Sequence, residues 1–142
     1  MAADPSPVAL DHVGLAVANL DGAVARYQRV LGVSPSHREL LPHDGVAAVF
    51  FDLGASSLEL LGNTRDDSAL ASFLERRGEG LHHIAYRVRD LEAELARWRE
   101  MGAELIDQHG RSGARGRLVA FVHPRAAGGV LTELCQLTQG EL

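Results

Sequence analysis

Two histidines and two glutamates stand inside apolar, strand-like segments of this 142-residue chain. His12 lies in LDHVGLAV and His83 in LHHIAYRV, whereas Glu59 and Glu133 lie in LELL and LTEL. A carboxylate inside an apolar strand is costly to bury unless it is paired, hydrogen-bonded or bound to a metal. Two imidazoles and two carboxylates form a mixed nitrogen and oxygen set that suits Co, Ni, Mn, Fe or Zn as divalent cations. These four residues are therefore candidate metal ligands.

Each of the four has an ordinary interpretation when it is considered alone. An isolated histidine in a strand is usually a hydrogen-bonded core or surface residue, and an isolated glutamate usually lies on an edge or an exposed face. An internal repeat favours the metal site instead, because both residue types recur at equivalent positions. The spacing is 71 residues for the histidines and slightly larger for the glutamates, as a difference in loop length would produce. The aligned pairs are His12 with His83, Phe50 with Phe121, and Glu59 with Glu133.

Each half of the repeat has the periodicity of a βαβββ unit. Alternating apolar residues predict a first strand, and apolar residues three and four apart predict a helix that ends at Gly32 or Gly102. Asp21 is the candidate N-cap of the first helix. Three further strands follow in each half. The predicted strands are residues 10–17, 34–39, 46–53, 57–61, 81–88, 104–107, 118–122 and 130–136.

The element pattern predicts an α+β fold class with two tandem modules in one domain. The first module is expected at residues 10–63 and the second at 80–137, with a linker helix within 64–79. Residues 1–9 and 138–142 are expected to be short tails.

Composition limits the possible partners. The net charge of −5 argues against nucleic acid or an anionic membrane surface as the main partner. All 14 basic residues are arginines, so any anion contact must come from Arg, His or backbone amides. Cys135 is the one cysteine, which excludes an internal disulfide and fits a reducing cytoplasm. Neither a signal peptide nor a membrane span is apparent, and a cytoplasmic location is expected.

Other polar features are weaker candidates. Cys135 shares a strand face with Glu133, but a nucleophile needs an activating base or positive field, so core packing is favoured. His37, His43 and His109 are assigned to surface loops. The loop SGARG, residues 112–116, could cradle a phosphate, but it lacks a strand-to-helix setting, and a plain turn is favoured.

The motifs of the chain resemble those of the vicinal oxygen chelate superfamily, and within it the methylmalonyl-CoA epimerase family. The resemblance extends from about Leu10 to Gln136 and includes DHVGLAV and SSLELL. The segments FLERRGEGLHHIAY and HPRAAGGVLTEL are specific to the epimerases. The resemblance implies a glyoxalase-like fold, in which two βαβββ modules form a cup-shaped mixed sheet around a metal site.

The resemblance also implies a reaction and a set of roles. The reaction is the interconversion of (R)- and (S)-methylmalonyl-CoA by proton transfer at C2, in propionate metabolism. His12, Glu59, His83 and Glu133 are implied as ligands of a divalent cation, Co²⁺ first and Mn²⁺, Ni²⁺ or Zn²⁺ as alternatives. Glu133 is implied as a catalytic residue in the proton transfer, and Arg125 is implied as a substrate contact. Inversion also needs a second acid/base group, for which Glu59 is the candidate and a bound water the alternative. The partner is an acyl-CoA, and a homodimer is expected.

Two departures from the epimerase pattern leave alternatives open. Ala48 stands where some members of the family carry a second acid/base glutamate. Glu59 stands where part of the family has glutamine, which makes the site more similar to that of glyoxalase I. The alternative functions are therefore glyoxalase I and a non-enzymatic protein that binds a small ligand in the cup. The ligand-binding alternative needs no metal, so an inward-facing set of histidines and glutamates counts against it.

Overall fold

The structure, a computed structural model, describes residues 7–138. Its helices and strands follow the order βαβββ twice, with one helix between the two copies. The predicted α+β fold class is confirmed. The elements are β1 (Ala9–Val17), α1 (Leu20–Leu31), β2 (His37–Leu41), β3 (Val46–Leu53), β4 (Ser56–Asn63), α2 (Ala69–Arg77), β5 (Gly80–Val88), α3 (Leu91–Glu100), β6 (Arg111–Ser112), β7 (Leu118–Val122) and β8 (Thr132–Gln136).

The described chain forms two compact units. One, here the N-terminal unit, is Val13–His82, and the other, the C-terminal unit, comprises the residues up to His12 and those from His83 onward. The module boundaries given above stay a prediction. Residues 1–6 and 139–142 of the expected tails lie outside the described residues.

In the N-terminal unit, β2, β3 and β4 pair antiparallel in that order. Val49, Phe51 and Leu60 pack with Val24 of α1 on one face of these strands. Because side chains alternate along a strand, Phe50 and its cross-strand partner Glu59 lie on the face away from α1. Helix α1 thus leaves uncovered the face of the strands on which Glu59 lies.

Helix α1 begins at a different cap from the one the sequence suggested. The side chain of Asn19 accepts a hydrogen bond from the backbone N–H of Gly22, whereas Asp21 lies inside the first turn. An acidic residue is also favourable there because of the helix dipole. The predicted end at Gly32 agrees with the structure, since this residue caps the helix with φ of 73°.

In the C-terminal unit, β6, β7 and β8 pair antiparallel, and β8 pairs with β5 in parallel. Leu91 and Leu95 of α3 are fully buried in a cluster with Val122 and Leu134. The apolar side of α3 therefore packs against one face of these strands. Residue Glu133, between Thr132 and Leu134 in β8, lies on the other face.

The strand expected at 104–107 does not form as a ladder. Only an isolated bridge joins Leu105 to Val122 there, and the N–H groups of Ile106 and Asp107 both donate to the carbonyl of Phe121. The Asp107 carboxylate in turn accepts from the Phe121 N–H at 2.9 Å. A side chain thus replaces the backbone partner that a regular strand would supply, and the edge strand of this unit is Arg111–Ser112 instead.

The linker helix expected within residues 64–79 is α2, Ala69–Arg77. Ser68 is its N-cap and accepts from the Ala71 N–H at 2.9 Å, so the first helical residue is Ala69. Among residues 7–138, no helix has the length and apolar character needed to span a membrane.

Substitution of the buried Glu94 of α3 tests the packing of the C-terminal unit. Glu94 is fully buried and accepts hydrogen bonds from Trp98 Nε1 at 2.7 Å and from the Arg97 guanidinium. Glu94→Ala leaves both donors without this acceptor, and we expect the free energy of unfolding to fall by about 2 kcal/mol in urea denaturation. The exposed Glu100→Ala is the control and should change it by less than about 0.5 kcal/mol. Equal effects of the two variants would contradict this account.

Candidate metal centre

Three of the four predicted ligands come together in the C-terminal unit. His12 of β1, His83 of β5 and Glu133 of β8 are all less than a tenth exposed. The two Nε2 atoms are 3.1 Å apart, and the ring planes are nearly perpendicular. Oε2 of Glu133 lies 3.4 Å from Nε2 of His12, and Oε1 lies 3.6 Å from Nε2 of His83. Two nitrogens and one carboxylate thus converge in a buried site.

These separations fit a divalent cation. Ligand atoms bound at about 2.0–2.2 Å from one cation lie about 3 Å apart when they are at right angles, and farther apart in a tetrahedral site. The two imidazoles and the carboxylate have the donor types that borderline cations such as Co²⁺ and Zn²⁺ prefer. The chemistry of the site therefore supports a divalent metal, which His12, His83 and Glu133 would hold.

Asp11 adds a carboxylate behind His12. Its Oδ2 lies 2.6 Å from Nδ1 of His12, and Asp11 is fully buried. A carboxylate can only accept in this hydrogen bond, so Nδ1 of His12 carries the proton and Nε2 presents its lone pair to the site. A histidine that ligates a metal usually has such a partner on its other ring nitrogen. Sequence analysis did not identify Asp11 because adjacent residues of a strand were expected to lie on opposite faces.

Three arginines hold the Asp11 carboxylate. Arg87 Nε donates to Oδ1 and Arg115 Nη2 donates to Oδ2, each at 2.9 Å, and Arg117 also donates to Oδ1. Burial alone would raise the pKa of Asp11, but the hydrogen bond and charge of His12, with Arg87 and Arg117, hold that pKa well below its usual range. The carboxylate therefore stays ionised at neutral pH.

Cys135 agrees with the packing interpretation. The side chain is 1% exposed, packs with Ala85 and Val119, and donates its S–H to Glu133 Oε2. Burial raises the pKa of the Cys135 thiol, and the charges of Glu133 and Asp11 raise it further. These effects outweigh the opposing charge of Arg117, so the surroundings do not activate the thiol as those of a nucleophilic cysteine do.

We expect Cys135 to resist alkylation in the folded protein. Since its pKa is raised, the thiolate fraction is small at neutral pH, and burial prevents access. Labelling by iodoacetamide, followed by mass spectrometry at pH 7 to 8, should be complete in denaturant and nearly absent without it. Above the ordinary thiol pKa the unfolded chain loses this proton more easily than the folded protein does, so the free energy of unfolding should fall as pH rises. Rapid labelling of the native protein would contradict this assignment.

Glu59 lies in the N-terminal unit, on β4, and is 4% exposed. Its cross-strand partner in β3 is Phe50, just as the partner of Glu133 in β7 is Phe121. Both aligned pairs of the sequence repeat therefore occupy equivalent places in the strand pairings. This equivalence supports Glu59 as the counterpart of Glu133.

The remaining predicted residues have different surroundings. Ala48 is buried in β3 and offers no titratable group, and its cross-strand neighbour on β2 is Glu39. His37 begins β2, in agreement with the strand expected at 34–39 and not with its assignment to a loop, and its Nε2 lies 2.8 Å from Glu39 Oε1. Arg125 lies in an exposed 3₁₀ turn, Pro124–Ala127, where its role in substrate binding stays a prediction.

Comparison with known proteins shows the family to which the chain belongs. The profile of the Glyoxalase/Bleomycin resistance protein/Dioxygenase superfamily matches residues 11–121. The mitochondrial methylmalonyl-CoA epimerase of Homo sapiens is 38% identical over 89% of this chain and 73% of its own length. The ethylmalonyl-CoA/methylmalonyl-CoA epimerase of Cereibacter sphaeroides is 37% identical over 90% of this chain and 97% of its own.

A solved structure extends this likeness to three dimensions. Methylmalonyl-CoA epimerase in complex with methylmalonyl-CoA and NH₄⁺ superposes with a TM-score of 0.92, at 36% identity, over 96% of this chain and 99% of that one. The resemblance stated from the sequence motifs is thereby confirmed. The chain belongs to the Glyoxalase/Bleomycin resistance protein/Dioxygenase superfamily and, within it, to the family of the methylmalonyl-CoA epimerases.

Proposed function

We propose that this protein is an isomerase that interconverts the two epimers of methylmalonyl-CoA. The observation that carries the proposal is the buried His12, His83 and Glu133 cluster in a chain whose relatives over nearly its whole length are named epimerases of this substrate. The substrate is an acyl-CoA with a hydrogen on C2, between a thioester carbonyl and a carboxylate. Removal of that proton gives an enolate, which is difficult to form near neutral pH.

We assign four ligands to the metal: His12, Glu59, His83 and Glu133. The donor geometry of three of them supports this, and the equivalence of Glu59 to Glu133 in the strand pairings supports the fourth. Two imidazoles and two carboxylates suit Co²⁺, with Mn²⁺, Ni²⁺ or Zn²⁺ as alternatives. A bound cation would act as a Lewis acid toward the substrate oxygens and stabilise the charge that develops when C2 loses its proton.

The protein groups supply the proton transfers. Glu133 takes the C2 proton from one epimer, since its carboxylate lies in the buried site beside both imidazoles, next to the position of the bound substrate. Inversion needs a second group that returns a proton to the other side of C2. Glu59 or a bound water is the candidate for that role. Burial of the histidines and of Glu133 also keeps bulk water away from the reacting carbon.

The test compares two substrates. Metal-loaded protein is mixed with methylmalonyl-CoA of one epimer, or with the hemithioacetal of methylglyoxal and glutathione, which glyoxalase I converts. We expect methylmalonyl-CoA to epimerise, as measured by chiral chromatography of the acyl group. We expect no conversion of the hemithioacetal. Conversion of the hemithioacetal alone would replace the proposal with glyoxalase I. Binding of neither a metal nor either substrate would favour a protein that sequesters another small ligand.

A homodimer is also proposed. Strand β2 is an edge strand, and a second chain could cover its unpaired backbone groups and the exposed side chain of Leu40. Light scattering after size-exclusion chromatography should give twice the mass of the 15.3 kDa chain. A monomer at micromolar concentration would remove this part of the proposal.

A further inference from the structure

The SGARG loop has no part in the function proposed so far, yet it reaches the metal centre through Asp11. Arg115 lies in the 3₁₀ turn Ala114–Gly116, and Arg117 follows it immediately before β7. Both donate to the Asp11 carboxylate, which is more than a hundred residues away in the sequence. The loop therefore contacts the group that holds His12, within the C-terminal unit.

The two oxygens of Asp11 have separate sets of partners. Oδ1 accepts from Arg87 of β5 and from Arg117, whereas Oδ2 accepts from His12 Nδ1 and from Arg115. Donors from β1, β5 and the loop thus fix the carboxylate in one orientation. Because both oxygens are held, Oδ2 cannot turn away from the imidazole without breaking contacts to an arginine.

The backbone of the loop supports a specific role for Arg115. It has φ of 61°, and among the described residues it is the one residue other than glycine with a positive φ. This conformation is unfavourable for a residue with a Cβ atom, and the next residue, Gly116, is a glycine with a similar φ of 70°. Because the fold holds Arg115 in this unfavourable backbone conformation, its side chain is expected to have a specific role there. The guanidinium is 18% exposed and directed at the fully buried Asp11.

Close packing keeps the loop in place. A Cβ atom at Gly113 would lie 2.6 Å from Cγ2 of Val119, so only glycine lets the loop approach β7 this closely. The N–H of Gly113 also donates to the carbonyl of Arg117 at 2.8 Å. The two arginines therefore extend from a short closed turn rather than from an open segment.

We propose that Arg115 and Arg117, together with Arg87, are positioning residues for the metal ligand His12. They hold Asp11 against Nδ1, so that the imidazole keeps one tautomer and one ring orientation and directs Nε2 at the metal. This inference rests on the assignment of His12 as a ligand in the proposed function. It gives the SGARG loop a function at the metal centre and not in phosphate binding.

Arg115→Gly is the informative variant, because glycine suits φ of 61° and the side chain is removed without backbone strain. Co²⁺ affinity is measured by competition with a chelator of known affinity, and the His12 tautomer by long-range ¹H–¹⁵N correlation spectra of the metal-free protein. We expect the dissociation constant for Co²⁺ to rise about tenfold or more, as is typical when an outer-shell partner is removed. We also expect the Nδ1-protonated form of His12, dominant in the wild type, to lose population.

Arg99→Gln is the matched control, since it removes one guanidinium from the same unit, where Arg99 donates to the carbonyl of Gln108. It should leave both measurements unchanged. The inference would be overturned if Arg115→Gly had the wild-type Co²⁺ affinity and His12 tautomer, or if Arg99→Gln changed both equally. It would also be overturned if the wild type bound no Co²⁺. Neither measurement uses substrate, so a protein that binds Co²⁺ in this way but does not epimerise would defeat the proposed function alone.

Discussion

Glu133→Gln is expected to reduce proton exchange at C2 of methylmalonyl-CoA by about a thousandfold while the metal is retained. Gln keeps a carbonyl oxygen that can ligate a cation, but it cannot take up a proton. The size of the loss is that of removing a general base, typically 10²–10⁴-fold. The measurement is deuterium entry at C2 by NMR, together with metal content by atomic emission of the same sample.

The matched control for this variant is Glu104→Gln. Glu104 lies in the same unit, and its side chain is 59% exposed. Exchange in this control should equal that of the wild type. If Glu133→Gln retained its metal and exchanged C2 at a near-normal rate, Glu133 would have no part in proton transfer, whatever its part in metal binding.

His83→Ala is expected to abolish tight metal binding. His83 is 2% exposed, its Nε2 lies 3.1 Å from that of His12, and its ring packs edge-to-face on Phe121. Substitution of a hydrogen-bond partner of a metal ligand typically weakens metal binding by about 10–100-fold. Loss of a direct ligand should weaken Co²⁺ binding by more than that. Isothermal titration with Co²⁺ measures this, and the stabilisation by saturating Co²⁺ in thermal unfolding should disappear with it.

His109→Ala is the control for His83→Ala, because it removes a histidine that is not a proposed metal ligand. His109 is 80% exposed and contacts Glu92, so its loss should leave Co²⁺ affinity unchanged. Because His83→Ala also removes packing against Phe121, the unfolding of both variants without metal must be compared. Wild-type Co²⁺ affinity in a folded His83→Ala protein would place the metal elsewhere.

The repeated elements could be predicted because their signals are local. Alternation along β1 and β5 and the helical spacing in α1 and α3 give two copies of one pattern, and the structure has both. The repeat also carries information over long range, since Phe50 with Glu59 and Phe121 with Glu133 are the cross-strand pairs that an aligned repeat requires. The convergence of His12, His83 and Glu133 follows from the same alignment.

The features that sequence reasoning missed depend on side chains that meet across long separations. The contact of Arg115 and Arg117 with Asp11 has no local pattern, and each of the three residues alone suggests a surface charge. The expected strand at 104–107 failed because the Asp107 carboxylate takes the Phe121 N–H that a ladder would use. Capping by Asn19 and not Asp21 was a choice between two good cap residues two positions apart.

The absence of lysine has a structural consequence at Asp11. A guanidinium offers several donors in a fixed plane, so three of them can surround one carboxylate while His12 shares Oδ2 with Arg115. A lysine ammonium would supply the charge without this directional hold. The arginine-only composition therefore suits the network, whatever its origin.

The most direct test of the central claim is deuterium entry at C2 from a single epimer of methylmalonyl-CoA in heavy water. The same protein is measured after chelation and again after addition of one equivalent of Co²⁺ per chain. The proposed function predicts no exchange in the chelated protein, and exchange with epimerisation once Co²⁺ is restored. Full exchange in the chelated protein, or no exchange with the metal bound, would contradict a metal-dependent epimerase.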